Sequence, residues 1–490
     1  MVNALERSAT TPSREEVEEV TRRGGWLVLV AIGTGSLMSG LDSSISNTVL
    51  PVIGRALQAD VAAVEWVVAI YLLVVSGLVL IFGRLSDMWG HRRVYLAGFG
   101  LFVVGSAACA FASSIGLLVA ARGVQGLGAA MLTASSPAIL TNAFPDHRRG
   151  RVLGLQATTV YVGLALGPSL GGGLAQAFGW QAVFFVNVPI GLVAFLLSWR
   201  YVPRDRQDTR RVEPFDIAGA LAFGTGLTLL ILALNQGHLW GWTSPLLLAC
   251  AGVAIALLAI FAMIELRTRA PMLDLSLFRN RVLSAGVVSA LLNYMATFAV
   301  AFLLPFYLIQ ARGMSPGAAG LVLTAQPLLM AATAAIAGAA ADRFGPRLPA
   351  TAGLGLLAAS FLWLSQLRLE TPVAVVVVAL FVAGIGIGLF TSPNTSAILG
   401  AAPAARRGVA SGLLATARSF GMVLGLGIGG AIFTTLLTST AEGPTPASIV
   451  AAADAGLLTA ALFALLGAVI SATRAPRPAA LESTTGRLLD

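Results

Sequence analysis

Apolar residues run along this chain in long stretches separated by short polar segments. A helix needs about 20 apolar residues to cross a bilayer. On that template fourteen spans are expected: 26–49, 64–82, 94–113, 115–140, 152–176, 181–201, 217–234, 245–265, 282–309, 319–340, 348–367, 372–398, 409–436 and 448–471. The pattern predicts an all-α polytopic membrane protein with 14 transmembrane helices. Residues 1–25 are polar and of mixed charge and read as a disordered or surface-lying tail, as do 472–490. The run from Trp26 is too long for the apolar core of a cleaved secretory signal, so it reads as an uncleaved first helix.

The chain also repeats itself. The basic turn Gly83–Arg93, GRLSDMWGHRR, returns in degenerate form 255 positions later, with Gly338, Asp342, Gly345 and Arg347 in the places of Gly83, Asp87, Gly90 and Arg92. At a shift of 258, Pro145, Arg148, Arg149, Gly150, Gly154, Gly163, Gly167, Gly171 and Gly172 meet identical residues from Pro403 to Gly430. Spans 1–6 therefore recur as spans 9–14, giving two six-helix pseudo-repeat bundles, 26–201 and 282–471. Residues 202–281 hold charged linkers and a two-helix insertion. Such halves are the architecture of a secondary transporter.

Charge adds the topology. Hydrophobic residues make up 57% of the 490 and charged ones only 11%, against about 25% in soluble proteins. All 31 basic residues are arginine, which excludes a lysine-bearing phosphate loop and with it an ATP-driven pump of that kind. With the N-terminus in the cytoplasm, 26 arginines fall in inside segments, three (Arg55, Arg312, Arg368) outside, and two (Arg122, Arg418) within spans. This obeys the positive-inside rule and puts both termini in the cytoplasm of a cell-membrane protein. The net charge of +9 is then topology with some attraction to anionic lipid, and no nucleic-acid partner is expected. Cys109 and Cys250 sit in apolar runs and imply no disulfide; His91, His147 and His238 are scattered, so neither a metal site nor a cofactor is expected.

A few polar residues interrupt the spans. Asp42 reads either as a residue of the outer headgroup zone or as a proton- or cation-binding site facing a cavity. Arg122 reaches a similar depth and needs a carboxylate or polar cluster; the pair reads as a structural clamp or as coupling machinery. A carboxylate whose distance to Arg122 changes through the cycle would take up a proton in one state and release it in the other. A cationic substrate would compete for the same charge. Gln125 and Asn187 are glue or site residues, and Arg418 is a structural or cavity cation. Gly163, Gly167 and Gly171 share one helix face, with Pro168 as a kink, and this bent face reads as a surface on which the halves could rock. Gly425–Gly430 fits a dinucleotide fingerprint but follows no strand. Tyr294, Phe302, Phe306 and Gln326 fit a weakly polar aromatic pocket, or simple packing.

Together these residues resemble the major facilitator superfamily, in its fourteen-helix drug:proton antiporter branch, over spans 1–14. The turn at Gly83, Leu85, Asp87, Gly90, Arg92 and Arg93 is similar to the family's loop motif, and Leu118, Arg122, Gln125, Gly126, Gly128 and Ala130 to its fourth-span motif. Gly163, Gly167, Pro168, Gly171 and Gly172 match its antiporter motif. In the first span Leu41, Asp42, Asn47, Leu50 and Pro51 keep the pattern, while Ser44, Ser46 and Val49 depart from it. The resemblance implies a cytoplasmic latch at Gly83, Arg84, Asp87, Gly90, Arg92 and Arg93 with Asp342 and Arg347. It also implies proton coupling through Arg122, with the carboxylate at Asp42. The expected function is export of amphipathic small molecules in exchange for protons by a monomeric transporter, not an enzyme. The alternatives are export of a specific lipid or metabolite, proton-coupled uptake, or a receptor without flux.

Overall fold

The computed structural model describes residues 14–144, 146–205, 216–268, 275–403, 407–438 and 444–474. The described residues are helical almost throughout: α1 Arg14–Ala56, α2 Val61–Trp89, α3 His91–Ala110, α4 Ile115–Ala143, α5 Asp146–Phe178, α6 Gln181–Phe185 and α7 Asn187–Tyr201. The inserted pair is α8 Ile217–Trp240 and α9 Pro245–Arg267. The second half comprises α10 Arg281–Pro305, α11 Pro316–Phe344, α12 Arg347–Leu364, α13 Val373–Ala401, α14 Arg407–Thr438 and α15 Pro446–Ala472. Among the described residues thirteen helices are long and apolar enough to cross a membrane. The remaining expected span lies on α8, a helix of 24 residues, or ~36 Å, with a described apolar stretch Ala218–Leu234.

Three elements differ from the hydropathy pattern. α1 is already helical at Arg14, ahead of the expected span, because the Glu- and Arg-rich end of the tail favours helix and continues the span. The sixth span is broken at Val186 into α6 and α7, with Pro189 in the first turn of α7, where its missing N–H costs nothing. α10 ends at Pro305 and widens into a π-turn, Phe306–Ala311. Short connections are fixed by side-chain caps: Asp60 accepts from the N–H of Ala63 at 2.7 Å, and Thr445 and Ser448 form a capping box. The repeated basic turn needs its glycines, since Gly90 (φ 102°) and Gly345 (φ 77°) each reverse the chain between two helices.

The halves repeat in three dimensions. In the first, Gly163 of α5 rests on the Leu37 carbonyl of α1; in the second, Gly421 of α14 rests on Leu291 of α10. Gly128 of α4 meets Gly98 and Phe102 of α3, as Gly386 of α13 meets Gly353 and Leu357 of α12. The repeat shift is thus 254 from α1 to α10, 255 from α3 to α12, and 258 from α4 to α13 and α5 to α14. Helices alternate in direction, so α1 begins and α15 ends on one side, hereafter the terminal face. The halves meet toward the opposite, distal face. Gly172 and Pro168 of α5 abut Pro316 and Gly320 of α11, Gly317 N donates to Gln176 Oε1 at 3.1 Å, and Arg55 donates to the Ile309 carbonyl at 3.3 Å. α8 lies against both α2 and α14, bracing the second seam between halves.

The face shared by Gly163, Gly167 and Gly171 packs on Leu37, Ser44 and Ile45 of α1, inside the first half. Of that motif, Gly172 and Pro168 are the residues seen against the second half. A Cβ at Gly163 would strike backbone, which cannot move aside as a side chain can. Gly163→Leu should destabilise the protein by about 1–3 kcal/mol, lowering its melting temperature in detergent, whereas Gly252→Ala, with open space around it, should not. Equal melting temperatures for Gly163→Leu and wild type would refute this packing.

Candidate functional site: a buried polar cluster in the first half

α1 carries Asp42 into the middle of the first half, where it is fully buried. Three donors from two other helices converge on its carboxylate. Arg122 Nη1 reaches Oδ2 at 2.8 Å, Gln125 Nε2 reaches Oδ1 at 2.9 Å, and Asn187 Nδ2 reaches Oδ1 at 2.8 Å. Arg122 and Gln125 stand one turn apart on α4, so one helix face presents both, and Arg122 also donates to Gln125 Oε1 at 2.6 Å. Asn187 is the first residue of α7, so the break after α6 aims its side chain inward. Asp42 is thus enclosed by protein and not exposed at a helix end.

Arg122 is held on its other sides as well. Its Nε donates to the Val67 carbonyl of α2 at 2.9 Å, and its guanidinium lies 4.2 Å from the Tyr71 ring and 5.7 Å from that of Phe184. Gln125 donates to Ser106 Oγ of α3 at 2.6 Å. Helix packing makes this possible: a Cβ on Gly105 would lie 2.6 Å from Gln125 N, so only glycine lets α3 and α4 approach closely enough. Two full charges inside a membrane protein are tolerable because each meets the other and nearly all their hydrogen-bonding groups are met. Chemically the cluster is one carboxylate balanced by one guanidinium, so each charge is the countercharge of the other.

The other expected site residues scatter. Arg92 is tied within its own half, its guanidinium donating to Trp199 O and its backbone N–H to Asp205 Oδ1 at 3.0 Å. Asp87 is half-exposed with an oxygen 3.8 Å from His91 Nε2. Gly83 faces open space, and Arg93 and Arg347 are exposed. The side chains of Arg84 and Asp342 lie outside the described part. Phe302 and Phe306 are buried against each other and Phe433, with ring centroids 5.1–6.3 Å apart. An apolar span offers no signal to separate such packing from a cavity wall. Gln326, Tyr294 and Arg418 are half-buried, and the Arg418 guanidinium lies 5.3 Å from the Tyr294 ring.

Sequence reasoning missed three residues. Glu65, buried near the distal end of α2, packs on Gly430 of α14 across the halves; an acid inside VAAVEWVVAIYLL was the available signal. Asp205, just beyond α7, caps the start of α3. Arg474, buried beyond the end of α15, donates to Asn394 Oδ1 at 2.5 Å, and burial lowers its pKa to about 10. Among the described residues no group of histidine, cysteine or acid side chains could hold a metal.

Two repeated helical halves, joined at one face, the first enclosing a buried ion pair, define a transporter of the alternating-access kind. The chain belongs to the Major Facilitator Superfamily, whose family model matches residues 32–290 and 286–488. It is 36% identical over 400 residues to the riboflavin transporter RibZ of Clostridioides difficile, covering 82% of this chain and 86% of that one. It is 34% identical to the multidrug resistance protein Stp of Mycobacterium tuberculosis (81% and 74% covered). Identity to the tetracenomycin C resistance and export protein of Streptomyces glaucescens is 33% (82% and 74%). Among solved structures, a bacterial homologue of the human lysosomal transporter Spinster, inward-facing and unoccupied, matches with a TM-score of 0.67 at 14% identity. That match covers 91% of this chain and 96% of the other, and it shows the fold.

Removing one member of a buried pair strands the other, at about 3–5 kcal/mol. Arg122→Met should therefore lower thermal stability more than Arg122→Met combined with Asp42→Asn. A double variant whose loss is the sum of the two single losses would show that the pair is not coupled.

Proposed function

We propose that this protein exports amphipathic small molecules in exchange for protons, by alternating access between its two halves. The observation that carries the proposal is the enclosure of Asp42 by Arg122, Gln125 and Asn187. A proton on Asp42 and the parting of the ion pair are one event, so a proton can be linked to a change in helix packing. Resistance and export proteins among the relatives support the export direction. The arginine-rich segments make the terminal face the cytoplasmic one, in the cell membrane, with both termini inside. Contacts between the halves gathered at the distal face then correspond to the inward-facing arrangement. Similarity to a riboflavin transporter favours a second reading, transport of one endogenous metabolite.

In this cycle a proton enters from outside in the outward-facing state, as drug leaves. The proton departs to the cytoplasm in the inward-facing state, which restores the Asp42–Arg122 pair. The basic turn would act as a latch when the cytoplasmic side closes, with Asp87 meeting arginines or a helix N-terminus of the second half. Asp42→Asn should abolish gradient-driven flux in inverted vesicles. Substrate addition to the purified variant in detergent should release no protons from this site; release equal to wild type would place the coupling carboxylate elsewhere. Arg122→Ala should uncouple flux from the gradient even where substrate still binds. Asp87→Asn should insert normally but favour the inward-facing state, and a bias of ~1.4 kcal/mol changes the ratio of states tenfold. Cysteine cross-links that report the same ratio as wild type, with wild-type flux, would remove the latch role.

A further inference from the structure

In the first half Asp42 and Arg122 meet each other, whereas Arg418 of the second half meets no carboxylate among the described residues. The repeat makes the contrast explicit. The places of Asp42, Arg122 and Gln125 are taken by Ala296, Leu380 and Ala383, so the second half has no copy of the buried cluster. Conversely, the places of Gly40 and Val160, whose backbones touch in the first half, are taken by Tyr294 and Arg418. A tight backbone crossing has become an arginine stacked on a tyrosine.

Arg418 stands in the span Val409–Thr438, well inside both ends. It is half-buried, and its Nε has no hydrogen-bond partner among the described residues. The titratable groups acting on it are Tyr294, from α10 of its own half, and Tyr161, from α5 of the other half. Neither is a carboxylate, and tyrosines are neutral at pH 7, with a usual pKa of about 10. Tyr161 is also half-buried. Three partly buried side chains, two from the second half and one from the first, thus lie near one another within the helical spans. A cation at such depth is costly unless it meets an anion. Asp42, fully enclosed by three donors, is not available to provide one or to attract a cationic molecule.

The geometry points to a substrate site in which Arg418 receives the negative group of an aromatic amphiphile, a carboxylate or phenolate, whose rings lie against Tyr294 and Tyr161. This rests on the transport reading above and gives its substrate class: anionic aromatic molecules in preference to cationic ones. The proton and the substrate then use different residues in different halves, coupled through the shared change of state and not by competition for one carboxylate.

Two xanthene dyes of similar size and opposite charge, fluorescein and rhodamine 123, test this on the purified full chain by fluorescence anisotropy. Wild type should bind fluorescein at least ~10-fold more tightly than rhodamine 123. Arg418→Gln should weaken fluorescein about tenfold or more and leave rhodamine 123 equal or tighter, while Arg418→Lys keeps part of the preference. Failure of wild type to bind fluorescein, a preference for rhodamine 123, or unchanged fluorescein binding by Arg418→Gln would each overturn the proposal. The wild-type preference decides alone should the variant not fold. Gradient-driven flux in proteoliposomes separates the two readings. Transport of rhodamine 123 but not fluorescein sinks the anion site and keeps the exporter, whereas Arg418-dependent binding without any driven flux does the reverse.

Discussion

The ion pair between Asp42 and Arg122 is the constraint around which the first half is built. Two charges can leave water only if each meets the other and their remaining groups are met too. Here that requirement recruits five helices: α1 for the carboxylate, α4 for Arg122 and Gln125, α2 for a carbonyl and the Tyr71 ring, α3 for Ser106, and α7 for Asn187. The helices must approach closely to do so. Gly105 and Gly128 hold α3 on α4, and Gly163, Gly167 and Gly171 hold α5 on α1, each at a spot where a Cβ would meet backbone or a side chain. Small residues in the spans are therefore the means by which the polar cluster closes, in addition to the van der Waals packing that joins membrane helices generally.

Repetition without equivalence follows from the same constraint. Burying one ion pair away from water is costly, and a second copy would add that cost again. The second half keeps the glycine contacts of the repeat, Gly421, Gly425 and Gly429 on α10, and loses the charges. Its core at the matching depth is Ala296, Leu380 and Ala383, so it can pack as a plain apolar bundle. With no buried ion pair to enclose, it carries Arg418 beside Tyr294 instead.

How much of this was legible in the sequence depends on whether a signal is local. The long apolar helices and the order of the repeat were readable, because hydropathy and the glycine order are properties of short stretches. The pairing of Asp42 with Arg122 was readable too, since two opposed charges at one depth in a membrane protein have few alternatives. The partners Gln125 and Asn187 were visible as polar residues but not as ligands of Asp42, because helix rotation is set by packing. Where α1 begins and where the sixth span breaks depended on propensities and a proline that hydropathy averages away. Phe302 and Phe306 show the limit from the other side. Aromatic residues in a span suit a pocket and a core equally, and only the position of Phe433 decides between them.

The two seams at the distal face carry the asymmetry to where the halves must part. Under the repeat, Gly320 of α11 stands where Glu65 stands in α2, and Gly172 of α5 where Gly430 stands in α14. One seam is therefore glycine on glycine, with the Pro168 carbonyl against Gly320. The other is glycine on a buried carboxyl side chain, braced by α8. Backbones in contact can tilt about a short axis without moving a polar side chain between environments, which suits the α5–α11 seam to be the axis of a rocking motion. Parting the α2–α14 seam would instead return the Glu65 carboxyl to water, so its free energy depends on what that group meets on each side. Two seams placed alike by duplication thus differ in what opening them would cost.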